Sequence, residues 1–138
     1  MAGLIFEFQF ANPYSPINSR QRKKVDMTAN TFRKMALEYP HVAESSHVDH
    51  PDFRVAGKIF ATLGYPDENW GMVKLTPEQQ RSFVKKAPSV FNPCSGAWGQ
   101  GGATNVHLAS AKKIVLRPAL KAAWTNAMAK AKKKPLLS

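Results

Sequence analysis

The stretch "DFRVAGKIFATL" (Asp52–Leu63) constrains this chain more than any other, because two short runs rich in β-branched and aromatic residues flank a single glycine. Only an antiparallel hairpin joins two strands through so short a connection, and Gly57 supplies the positive φ that a tight loop demands. A loop of Ala56, Gly57 and Lys58 puts Phe53, Val55, Ile59, Ala61 and Leu63 on one face and Arg54, Phe60 and Thr62 on the other. "WGMVKL" (Trp70–Leu75) follows after the turn "GYPDEN" and continues the meander, with Val73 and Leu75 inward and Trp70, Met72 and Lys74 on the opposite face. "HVAESSHV" (41–48) alternates loosely, as an edge strand does, and "TNVHL" (104–108) supplies a last strand.

Helical periodicity brackets these strands. Phe32, Met35, Ala36 and Tyr39 recur at helical spacing after a Thr28 cap, and Pro40 ends the run. "TPEQQRSFVKKA" (76–87) places Thr76 at the cap, Pro77 at the first helical position and Glu78 and Gln79 close behind. The last helix carries Leu116, Leu120, Ala123, Trp124, Ala127 and Met128 on one face, and Pro118 fits only in a first turn, so its regular part is expected to begin near Leu116. "PSVFNPCSGAWGQGGA" (88–103) reads as loop, with its glycines letting the chain turn around an anchoring Trp98. The order αββββαβα implies a two-layer α+β domain, an antiparallel sheet with helices packed on one face.

A chain of 138 residues suits one domain. "NPYSPINSRQRKKVD" (12–26) has the composition of a linker, so residues 1–26 read as an extra N-terminal segment, flexible or contributing one added strand through "LIFEFQF". Residues 27–138 then form the domain, with a basic C-terminal tail. The lone Cys94 cannot make an internal disulfide, which points to a reducing compartment, the cytoplasm. No apolar run approaches the roughly 20 residues of a membrane-spanning helix, and no basic region precedes the first apolar one as in a signal peptide.

The net charge of +11 lies wholly in the later half of the sequence, since residues 1–78 hold nine basic and nine acidic residues while 79–138 hold eleven basic and none acidic. A one-sided positive field attracts polyanions. With aromatic rings among cations on the outward sheet face, this suggests contact with nucleic acid through Arg54, Lys58, Lys74, Trp98, Lys112 and Lys113. A second reading is an adaptor or chaperone-like domain that takes a protein, a small ligand or a second copy on the sheet face around Phe60 and Trp70.

No catalytic constellation emerges, so the expectation is a non-enzymatic domain without a cofactor. His47, Asp49, His50 and Asp52 offer ligand atoms within six residues, but nothing completes a shell and no zinc spacing is present, so they read as turn formers and no metal is expected. Cys94 with His107 lacks the local sequence of a nucleophile and base. "GAWGQGG" lacks the Lys-Ser/Thr ending of a phosphate loop and precedes a strand.

"SSHVDHPDFRVAGKIFATL", "MVKLTPEQQ", "FNPCSGAWGQGGATNVHL" and a Trp within the last helix together resemble the MmcQ/YjbR-like proteins, described as having a double-wing DNA-binding motif. The likeness runs from about Thr28 to Ala131. It implies an α+β fold akin to frataxin-like and secretion-chaperone-like sheets, and it names DNA as the favoured partner by fold likeness. The chain departs from the family's pattern in its first 26 residues and in its last helix, where Lys112, Lys113 and Pro118 stand in place of an acidic, Pro-free start.

Overall fold

The computed structural model describes residues 27–47 and 49–133, without the side chains of His47, Lys132 and Lys133. The expectations for residues 1–26 and for the end of the basic tail lie outside the described residues.

Helix α1 (Ala29–Leu37) starts where the Thr28 hydroxyl accepts the Thr31 amide at 3.1 Å. Four consecutive strands follow: β1 (Val42–His47), β2 (His50–Val55), β3 (Lys58–Leu63) and β4 (Trp70–Lys74). Helix α2 (Pro77–Lys86) carries a full capping box, with the Thr76 amide donating to Gln79 Oε1 at 2.9 Å and the Gln79 amide to Thr76 Oγ1 at 3.1 Å. Strand β5 (Phe91–Pro93), a five-residue helix α3 (Gly96–Gln100), strand β6 (Ala103–His107) and helix α4 (Lys113–Lys133) complete the order. The segment expected to be all loop therefore holds a strand and a helix, each too short to leave a periodic signature.

All pairings in the six-stranded sheet are antiparallel, in the order β1-β2-β3-β4-β6-β5. Helices α1, α2 and α4 cover one face. Phe32 of α1 packs over Gly71, Phe83 of α2 meets Phe91 at 5.3 Å between ring centroids, and α4 crosses β2, β3 and β4. Phe32, Phe53, Phe60, Phe91, Leu116 and Leu120 are fully buried. This is the two-layer α+β architecture expected from the sequence.

The hairpin differs from expectation in one instructive way. Its loop is the two residues Ala56 and Gly57, at φ 52° and 80°, which is the positive-φ pair of a type I′ turn. Val55 therefore pairs with Lys58 and Arg54 with Ile59, which turns Ile59 to the outer face. The register then shifts, so that Phe53 pairs with Ala61. The extra residue in β3 is Phe60, and at such a bulge two successive side chains lie on one side. Phe60, next after the outward Ile59, is 0% exposed beneath the helices, not on the outer face where a three-residue loop put it, and the bulge returns Ala61 and Leu63 to the same side.

Helix α4 also starts earlier than expected. Its first turn closes through Val115 and Leu116 amides onto the Lys112 carbonyl, so Pro118 sits in the second turn. A proline there deprives the Ile114 carbonyl of its helical partner. Ile114 is 79% exposed, so the loss falls at the surface.

Candidate nucleic-acid interface

The pairings fix which residues share an end of the sheet. Ala61 lies opposite Val73, Leu63 opposite Gly71 and Lys74 opposite Ala103, so the Ala56–Gly57 hairpin tip, Lys74 and the turn before β6 are gathered at one end. Trp70 pairs with His107 at the other. Helix α4 begins at this second end, where the Leu108 amide bonds to the Asn69 carbonyl, and runs until Asn126 reaches the Lys74 carbonyl at 3.4 Å.

This geometry divides the six residues singled out from sequence. Lys74 and Trp98 meet, with the Lys74 ammonium 5.8 Å from the centre of the Trp98 ring. Lys58 is at the same end, but opposite Val55 and therefore on the helix side. Lys112 and Lys113 lie at the far end, about 20 Å away by the rise of the helix from Lys113 to Asn126. Arg54 faces outward but is held by Asp52, its Nε donating to Oδ1 at 2.8 Å and its Nη2 to Oδ2 at 3.1 Å. That hydrogen bonding and charge raise the Arg54 pKa above its usual value and tie the guanidinium to a carboxylate only 1% exposed.

The late lysines are not one-sided in space. Lys85 and Lys86 end α2 beside the far end of the sheet, Arg117 is paired with Glu38 at 3.6 Å, and Lys130 lies in the last turns of α4 at the hairpin end. A block of charge in sequence becomes a distribution because α2 and α4 each run the length of the sheet. Net charge by itself chooses no surface here.

Trp98 behaves contrary to expectation as well. It does not anchor its loop; it is 61% exposed. What holds the turn is Gln80, a buried residue of α2 that the sequence reading passed over as part of a capping region. Its amide donates to the Gly99 carbonyl at 3.0 Å and to the Ala103 carbonyl at 2.9 Å. Gly99 and Gly102 pack so tightly that a Cβ on either would strike the carbonyl oxygens of Cys94 and Leu75. The glycine spacing in "GAWGQGG" was the available signal of this close approach. The indole is thus displayed on a turn fixed from behind.

The remaining candidates have other occupations. Asp49 is an exposed turn residue at φ 67°, and the His50 ring meets Tyr65 edge-on at 5.9 Å. Among the described residues no group of three His, Cys, Asp or Glu side chains is placed to hold a metal ion. Cys94 donates to Asn105 Oδ1 at 3.2 Å, and burial pushes its thiol up to about 11. His107 does not serve it; its Nδ1 bonds the Ser110 hydroxyl at 2.9 Å and its ring lies against Trp70 at 4.8 Å. With Phe60 buried, Trp70 is what remains of the aromatic pair proposed for a protein partner on the sheet face.

The sequence profile of the YjbR family matches residues 37–126, which includes Asp52, Arg54, Lys74, Gln80 and Trp98. The chain belongs to the YjbR family. No curated protein matches it. Among solved structures, this YjbR-family chain is similar to the Deinococcus radiodurans protein DR2400, which carries the domain DUF419. The two are 18% identical, with a TM-score of 0.60 over 72% of this chain and 77% of that one, a likeness of fold. No helix among the described residues of the YjbR-family chain is long and apolar enough to cross a membrane.

Proposed function

We propose that this chain is a non-enzymatic nucleic-acid-binding domain of the cytoplasm, and that it makes contact through the hairpin end of its sheet. The observation that carries this reading is the Lys74 ammonium over one face of an exposed Trp98 ring on a turn held by Gln80. An aromatic face with an adjacent cation is the pairing that holds a base and its phosphate. Lys130 adds positive charge toward the same end, whereas Glu78, in the first turn of α2, opposes it. DNA is the favoured polymer, following the double-wing description of the proteins the sequence resembles.

The test is an anisotropy titration of labelled oligonucleotides with the full chain at several salt concentrations. Affinity falls linearly on a log–log plot against salt, because bound cations displace condensed counterions. Lys74→Ala reduces that slope by about 1, whereas Lys121→Ala, midway along α4, leaves it unchanged. Binding that ignores salt, or that is lost equally in both variants, contradicts the reading.

A further inference from the structure

Resting on the proposed nucleic-acid reading, we infer that the Lys74–Trp98 site selects unpaired nucleotides, stacking a base on the Trp98 ring while Lys74 holds the adjoining phosphate.

The three tryptophans are used differently. Trp70 lies against the His107 ring, and Trp124 is stacked on Tyr39 at 5.7 Å with its indole N–H bonded to the Pro40 carbonyl. Trp98 has an ammonium group as its ring partner and most of its surface open. An indole left outside forgoes a large apolar burial, and here Gln80 and two closely packed glycines fix the backbone of the turn that carries it. Such a ring is preorganised for a flat apolar partner that arrives from solvent.

A duplex does not offer that partner. Its base faces are covered by neighbouring pairs, and exposing one requires unstacking or flipping. The grooves present base edges, which a helix or ribbon reads, whereas the element carrying Trp98 is a helix of five residues, under two turns long. A single strand presents bare faces with a phosphate beside each, which matches an exposed ring that carries a cation over one face.

The experiment titrates the full chain, at one low salt concentration, into labelled oligo-dT, oligo-rU and a hairpin duplex of equal charge. The single strands bind at least about tenfold more tightly than the duplex. Trp98→Ala weakens single-strand binding by about 5- to 150-fold and Trp98→Phe by less. The dT and rU arms show which sugar the site accepts, and Trp98-dependent binding of either supports the inference. Equal or tighter duplex binding, or single-strand binding indifferent to Trp98→Ala, overturns the inference while the nucleic-acid reading stands. No binding to any probe overturns that reading and the inference with it.

Discussion

Gln80 and Gly99 are joined by a buried hydrogen bond of 3.0 Å from side-chain amide to backbone carbonyl, one residue beyond the exposed Trp98. The same amide serves Ala103, so one side chain spans both arms of the turn. Gln80→Leu keeps the approximate volume but strips both carbonyls of their donor. It is expected to destabilise the domain by about 1–3 kcal/mol, seen as a lower urea midpoint at unchanged slope, and to weaken oligonucleotide binding.

The two-residue loop of the hairpin makes opposite predictions for two neighbouring residues of β3. Phe60→Ala removes a ring that is 0% exposed and is expected to cost about 3–5 kcal/mol. Ile59→Ala acts on the outer face and is expected to cost about 1 kcal/mol or less. The reverse ranking in urea denaturation contradicts the register described for the hairpin.

How much of this was legible in the sequence turns on that hairpin. The Asp52–Leu63 pattern announced two strands and a tight turn, and Phe53, Val55, Ala61 and Leu63 face the helices as alternation predicts. A one-residue difference in loop length inverted Ile59 and Phe60, and a bulge restored Ala61 and Leu63, since strand facing has a period of two and forgives no miscount. At Trp98 the composition was informative but its meaning was not. Glycines that let a chain turn and glycines that let a backbone approach look alike until Gln80, 18 positions earlier, is seen across the gap. The charge block failed for a related reason, as two helices that traverse the sheet carry their lysines to both ends.

The Asp52–Arg54 pair couples a buried carboxylate to a partly exposed guanidinium through two hydrogen bonds. Arg54→Ala leaves the Asp52 charge buried without its partner, and that is more damaging than losing both charges together. The expected order of melting temperatures places Arg54→Ala below the Asp52→Asn/Arg54→Ala double variant. Simple additivity of the two losses contradicts this account.

Cys94 is expected to react slowly with alkylating reagents at neutral pH, because burial raises its thiol from 9.0 to about 11 and little thiolate is present. The folded state holds the proton more tightly than the unfolded state. Its contribution to stability is therefore complete below pH about 9 and is lost as pH rises toward about 11. Chemical denaturation across that window should show a decline that Cys94→Ala reduces, and identical profiles contradict the assignment.

The central claim is that Trp98, displayed beside Lys74, is where nucleic acid touches this domain. Its most direct test is an NMR titration of the full chain with a short single-stranded oligonucleotide at low salt, following the three indole N–H signals assigned by Trp→Phe substitution. The Trp98 signal is predicted to shift and saturate while those of Trp70 and Trp124 stay in place. A Trp98 signal that remains fixed at saturating oligonucleotide contradicts the account.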